Sequence, residues 1–192
     1  MSLRLVIMGP QGSGKGTQAA LLAERLGVVT ISTGDIFRSH MAAGDELGTL
    51  AQSYTSRGEL VPDEVTNAMV RQRLAEPDVA EGFILDGYPR NCTQVDELDD
   101  ILASLGTRLD GVIELTADRG ELLARMARRA AIEQREDDTE DAIARRLDIY
   151  AEQTAPLTAS YAARGLLVTV EGTGEIAEVA ERIATAVAGV RS

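Results

Sequence analysis

Nine residues near the start of the chain carry the strongest chemical signal: Gly9-Pro10-Gln11-Gly12-Ser13-Gly14-Lys15-Gly16-Thr17. The glycines let successive backbone N–H groups turn inward and approach phosphate oxygens, which a Cβ would obstruct. A helix opening directly after such a loop adds its orphan donors and the positive end of its dipole. Lys15 offers a compact ammonium to neighbouring phosphates, and Thr17 a hydroxyl to a phosphate or to the shell of a magnesium ion. The run is a relaxed form of G-x-x-x-x-G-K-[ST], because Gly16 separates Lys15 from Thr17. Every other basic residue in the chain is arginine, so the single lysine stands where a flexible ammonium has a chemical use. The competing reading is a glycine-rich strand–helix turn without a ligand; the lysine and both flanking elements speak against it.

A second signal is Asp86, which ends the apolar run Gly82-Phe83-Ile84-Leu85. Ligands of parallel sheets bind at the carboxyl ends of strands, and a carboxylate there holds magnesium through water or else caps the following turn. Asp35 carries the same two readings, a helix cap or a partner for magnesium-bound water. The asparagines Asn67 and Asn91 are followed by Ala and Cys, so no N-K-x-D guanine-reading motif exists.

These groups need a scaffold, and the hydropathy pattern supplies one. Short apolar runs at 4–8, 28–31, 82–86, 111–115 and 166–170 predict five buried strands. Helical spacing predicts helices over 18–26, 96–105, 118–131, 138–163 and 176–187, with several short helices between Asp35 and Leu74 broken at glycines and Pro62. Strands alternating with helices imply an α/β protein of the P-loop NTPase type, three layers with a five-stranded parallel sheet. The 192 residues favour one domain, 1–192. The stretch between the second and third strands is long for one crossover and predicts a small helical subdomain.

Composition narrows the partners. Nineteen basic against 31 acidic side chains leave a net charge of −12. That argues against non-specific nucleic-acid or anionic-membrane binding, though not against a small basic pocket. One cysteine, Cys92, cannot form an internal disulfide, which fits a reducing, cytoplasmic setting. No apolar run approaches the ~20 residues that span a bilayer. With no obvious apolar patch, a monomer is expected. His40 reads as a surface histidine and Cys92 as a small buried or half-buried thiol.

Taken in order, the motifs resemble those of the adenylate kinases. Gly9 to Gln18 is similar to the family's opening, and Ser32-Thr33-Gly34-Asp35-Ile36-Phe37-Arg38 to its S-T-G-D-x-x-R segment. Leu60-Val61-Pro62-Asp63 resembles the edge of its monophosphate-binding lobe, and Gly82 to Arg90 its G-F-x-L-D-G-[FY]-P-R block. Arg135-Glu136-Asp137-Asp138 with Arg146 and Tyr150 resembles its R-x-D-D…R…Y segment, and Gly172-Thr173-Gly174 its adenine-contacting turn.

The resemblance implies reversible phosphoryl transfer from Mg-ATP to AMP, giving two ADP. It implies a mobile lobe, about 32–61, closing over AMP, and a short lid, about 128–138, closing over ATP; with no cysteine in the lid, no structural zinc is expected. By the same resemblance Lys15, Arg90, Arg129, Arg135 and Arg146 are the catalytic cations. ATP falls to Gly12, Ser13, Gly14, Lys15, Gly16, Thr17, Arg125, Arg129 and Gly174. AMP falls to Thr33, Arg38, Glu59, Leu60, Val61, Gly87, Tyr88, Pro89, Arg90, Gln94, Arg135 and Arg146, and Asp86 to magnesium through water. Arg128 and Arg145 are read as a solvated helix face. Thr33 and Gln94 match adenylate kinases, whereas Asn91 matches the UMP/CMP kinases of the same family, the alternative reading. Gln11 and Ala130 also depart from the usual Pro and Gly.

Overall fold

A computed structural model describes residues 3–133 and 139–190; for 127, 129–133 and 190 it describes the backbone only. Five strands, β1 (Leu3–Met8), β2 (Val29–Ser32), β3 (Gly82–Asp86), β4 (Gly111–Thr116) and β5 (Leu167–Glu171), form one parallel sheet in the order β2-β3-β1-β4-β5. Each strand lies within two residues of its sequence expectation, because short apolar runs buried on both faces leave little choice of register.

The two faces sort by alternation. Leu5, Ile7, Ile84, Ile113 and Leu115 point to one side, where they pack on Ala19, Leu22 and Ala23 of α1 (Lys15–Leu26) and Val179, Ile183 and Val187 of α9 (Ile176–Val190). Val6, Met8, Phe83, Leu85 and Val112 point to the other, against α4 (Asp63–Leu74), α5 (Cys92–Ser104) and α8 (Leu157–Ala163). Three layers result, as expected. Burying these aliphatic side chains supplies the main driving force, about 1.5–3 kcal/mol for each one fully enclosed.

Two smaller cores stand apart from the sheet. Phe37, Ala51 and Val61 close a lobe made of α2 (Thr33–Ala43), α3 (Glu46–Thr55) and the chain leading to α4. Leu122 and Met126 of α6 (Arg119–Glu133) meet Ile143 and Leu147 of α7 (Glu140–Ile149).

Four expectations are corrected. The helix foreseen over 138–163 is interrupted: α7 ends at Ile149, a π-helical turn runs Tyr150–Thr154, and α8 begins at Leu157. Pro156 has no N–H to continue the ladder, and Ala155 N instead reaches back to Tyr150 O at 2.8 Å. Helix α5 starts at Cys92, not Asp96, because the Asn91 side chain accepts from Gln94 N and caps it. Asp35 is not the cap of α2; Ser32 is, its hydroxyl accepting from Asp35 N at 3.2 Å. Cys92, the first residue of α5, is exposed rather than buried or half-buried.

Candidate active site

The sheet order places β1 between β3 and β4, so the connections after β1 and β3 diverge to opposite faces and open a crevice at their carboxyl ends. Register sets the floor: Asp86 pairs with Ile7 on one side and with Ser32 on the other. Two cavities meet there, and Gln11, Lys15, Ser32, Arg38 and Asp86 line both.

The first cavity follows the glycine loop. It is lined by Gly12, Ser13, Gly14, Lys15, Gly16, Thr17, Arg125 and Gly174. Gly12 and Gly14 hold φ of 86° and 91°, and α1 starts at Lys15 directly behind them. Lys15 Nζ donates to Pro10 O at 2.9 Å, folding the ammonium over the loop. The far wall is the turn 172–174, fixed by two arginines. Arg125 donates to Gly172 O from both terminal nitrogens at 3.1 Å, and Arg182 donates to Glu171 O and Thr173 O. Arg182 was not foreseen; its spacing on α9 gives no hint of the turn it reaches. Gln18 of α1 also lines this wall and donates to Ile176 O at 3.0 Å. Arg128, read as solvated, is exposed but lines this cavity. Arg145 is exposed and lines neither cavity. Arg129 has only its backbone described, and Arg135 lies outside the described residues.

The second cavity lies under the lobe. Thr33, Arg38, Glu59, Leu60, Val61, Gly87, Arg90, Gln94 and Arg146 all line it, as does Tyr150. Gly87 O accepts from Thr33 Oγ1 at 3.1 Å and from Arg90 Nε at 2.9 Å, which locks the turn after β3. No Cβ fits at Gly87, whose φ is 84°; it would lie 2.6 Å from Thr33 Oγ1. Tyr88 and Pro89, expected at the ligand, do not line this cavity. Tyr88 is a core residue, and its hydroxyl donates to Asn67 Oδ1 at 2.9 Å. The lobe rests on α7: Arg146 Nη2 donates to Thr55 O at 3.0 Å, and a Cβ at Gly58 would meet Ala142 O at 2.4 Å.

Charge converges where the cavities join. Burial pulls the Arg90 guanidinium below its ordinary pKa; Asp86 opposes this, while Arg146 and Arg38 reinforce it. Like charges held this close in a chain of net charge −12 mark a site built for a polyanion. Burial, with Glu114 adding to it, pushes the Tyr150 hydroxyl up to about 12, so it stays protonated beside the cations. Thr154 Oγ1 donates to Arg90 O at 2.8 Å, so the π-helical turn braces the arginine from behind.

Asn91, the apparent UMP/CMP signature, does not line the acceptor cavity; its amide donates to Asp63. Among the described residues no cluster of three or more His, Cys, Asp or Glu is placed to hold a metal. One carboxylate at a strand end suits a hard cation that keeps most of its water and binds through phosphates.

The family model described as adenylate kinase matches residues 7–166. Curated relatives agree over nearly the whole length. An adenylate kinase of Bifidobacterium longum (strain NCC 2705) is 59% identical over 181 residues, 94% of this chain and 97% of the relative. One of Thermobifida fusca (strain YX) is 54% identical over 184 residues, 96% of this chain and 97% of the relative. One of Kocuria rhizophila is 57% identical over 183 residues, 95% and 97% respectively. Two cavities sharing Lys15 and Arg38, further arginines lining each, and this depth of similarity lead to one conclusion: the chain belongs to the adenylate kinase family.

Proposed function

We propose that the protein transfers the terminal phosphoryl group of Mg-ATP reversibly to AMP, giving two ADP. One observation carries this reading: Lys15, Arg38, Arg90 and Arg146 all line the acceptor cavity, and Lys15 and Arg38 line the donor cavity as well. The donor occupies the glycine loop, with its base against the turn 172–174. The acceptor occupies the cavity of Thr33 and Gln94. Their phosphates then meet end to end over Asp86. The attacking phosphate oxygen is already anionic, so no general base is required. Catalysis consists of aligning two polyanions and neutralising charge as it spreads over the moving group. Guanidinium forks grip phosphate oxygens in pairs, and the amides after Gly12 hold the donor in place.

Magnesium fits this donor set: Asp86 would hold it through water beside Thr17. When bound, it neutralises charge on the donor phosphates. Lys15 orients the donor, and Arg90 and Arg146 draw the acceptor phosphate toward it. The lobe, about 32–61, and a short lid, about 128–138, close over acceptor and donor to keep water from taking the phosphoryl group. The arginine fan favours catalysis over mere binding, since a passive binder has no need of so many cations at one phosphate. The adenylate kinase names of the relatives weigh against a UMP/CMP kinase, as does the position of Asn91 outside the acceptor cavity.

We further place the protein in the cytoplasm as a monomer. Among the described residues the large exposed apolar side chains, Leu21, Leu50, Leu105, Leu123 and Ile176, are scattered over different parts of the chain. Among the described residues no helix is long and apolar enough to cross a membrane. The decisive assay is ATP-dependent consumption of AMP, CMP, UMP and GMP side by side, with AMP expected as the best acceptor. Competitive inhibition against both nucleotides by two adenosines joined through five phosphates would show both nucleoside sites at once. Faster turnover of CMP or UMP would overturn the reading.

A further inference from the structure

Asp63 does not line the acceptor cavity, yet its carboxylate holds the amide that does. Its Oδ1 accepts from Gln94 Nε2 at 2.7 Å and from Asn91 Nδ2 at 3.0 Å, and its Oδ2 accepts from Asn91 Nδ2 at 3.2 Å. At the opposite end of the amide, Gln94 Oε1 accepts from Arg90 N at 2.8 Å. Gln94 is 1% exposed. A carboxylate has no proton to give and a backbone N–H cannot accept. Turning the amide over would therefore set oxygen against Asp63 and NH2 against the Arg90 N–H, two buried mismatches in one residue. The orientation of Gln94 is dictated from both ends. One N–H and one lone pair remain for a ligand.

That leftover pair has a direction. Adenine offers an N6 amino donor beside an N1 acceptor. Hypoxanthine, of the same ring size, offers an O6 acceptor beside an N1–H donor. An amide free to turn serves both bases, whereas one that cannot turn serves only one. A polar site of fixed direction rejects the mismatched partner because buried groups are left unpaired. We propose that Asp63 is a positioning residue for acceptor specificity, locking the Gln94 amide so that the site accepts an amino base and refuses its oxo counterpart. Asn91 shares the carboxylate and at the same time caps α5 through its own oxygen, accepting from Gln94 N at 2.9 Å. Asp63 is the first residue of α4, whose Val70 and Leu74 lie in the main core while Val65 and Met69 pack on the core of the lobe, so the lock is anchored to both.

This inference rests on Gln94 reading the acceptor base, and the experiment separates the two ideas. The quantity is the ratio of kcat/KM for AMP to that for IMP, at fixed ATP, in the wild type, Asp63→Ala, Asp63→Asn and Gln94→Ala. In Asp63→Ala the ratio is expected to fall about tenfold or more while KM for ATP holds. A loss of structure would lower both acceptors together and leave the ratio in place. Asp63→Asn retains an oxygen for Gln94 Nε2 and should keep the ratio within about threefold of wild type. An unchanged ratio in folded Asp63→Ala overturns the proposal, as does an equal collapse in both Asp63 variants. A ratio that falls in Gln94→Ala but holds in Asp63→Ala removes only the role of Asp63. A ratio that holds in Gln94→Ala removes the base-reading role of Gln94 itself. Should Asp63→Ala not fold, NMR of the wild type decides: one Gln94 side-chain amide proton shifted downfield by its bond to the carboxylate, with a through-hydrogen-bond coupling to the Asp63 carboxyl carbon, is expected, and ordinary Gln94 amide shifts with no such coupling refute the lock.

Discussion

The donor and acceptor halves of the cleft are made of different materials. The donor half is built around backbone, a glycine loop from Gln11 to Thr17 facing a second turn at Gly172 and Gly174. The acceptor half is mostly side chains, Thr33, Arg38, Arg90, Gln94 and Arg146, brought from separate elements and held by partners behind them. A backbone cradle depends on the absence of Cβ atoms at a few positions. A side-chain wall depends on residues that never touch the ligand. The first kind of site fails by intrusion, the second by loss of support.

The largest expected effect comes from Lys15, the ammonium among the side chains that belong to both halves. Replacing Lys15 with Met removes the ammonium lining both cavities. Turnover should fall by about 10³-fold, the scale set by loss of one preorganised cation or donor at a charged transition state. Thermal unfolding should stay near that of the wild type, because Lys15 is half-buried and contributes nothing to the apolar cores. Transfer at the wild-type rate would remove Lys15 from the chemistry.

Intrusion can be tested within the loop by two substitutions that differ in one respect. Gly12 and Gly14 both adopt positive φ, 86° and 91°, so alanine is strained at either. At Gly14 the new methyl meets open space, whereas at Gly12 it would lie 2.9 Å from Leu122 O and 3.1 Å from Met126 Cγ. Gly14→Ala should cost about 1–2 kcal/mol of stability, the strain alone. Gly12→Ala should cost more and push α6 away from the loop, raising KM for ATP by about tenfold with KM for AMP little changed. Differential scanning calorimetry with steady-state kinetics on both variants checks the contrast; equal effects would mean that the contact with α6 is irrelevant.

The same division explains what could be read in advance. The loop was legible because its chemistry is contiguous: glycines, lysine and helix start follow one another, and the strand before them is an apolar run. The strands were legible because burial on both faces leaves only one kind of residue. The acceptor wall was reached through family motifs, and its supports were not reached at all. Nothing in the spacing of Asp63, Asn91 and Gln94 says that one carboxylate joins all three. The Asn91-x-x-Gln94 pattern did carry a helix-start signal, since Asn is a strong cap and Gln three residues on reaches back. Read as a cap, it would have placed the start of α5 correctly and shown that Asn91 serves the helix. Arg182 reaches the turn 172–174 through tertiary packing, and no local pattern encodes that.

Arg182 gives a smaller effect that sharpens the comparison from the donor side. Its guanidinium donates to Glu171 O and Thr173 O, and so holds a piece of backbone that lines the donor cavity without itself lining it. Arg182→Ala should raise KM for ATP about three- to fivefold, the scale of one or two charge-assisted hydrogen bonds at a half-buried position. KM for AMP should not move. An equal rise for both nucleotides would show a general loosening of the molecule instead.

The smallest effect expected is at Asn91, and it bears on why the residue looked like the mark of a different acceptor. Threonine there keeps an oxygen to accept from Gln94 N, so the cap of α5 survives at a cost of a few tenths of a kcal/mol. What is lost is the amide that donates to Asp63 at 3.0 and 3.2 Å. The bond from Gln94 Nε2 to the same carboxylate, at 2.7 Å, is untouched. Asn91→Thr should therefore lower stability by about 1 kcal/mol, the usual worth of a hydrogen bond, and change KM for AMP by less than about twofold. Relative use of CMP and UMP should not change, because the side chain does not line the acceptor cavity. A shift in acceptor preference in this variant would mean that the carboxylate needs both amides to hold Gln94, and that the lock is shared between Asp63 and Asn91.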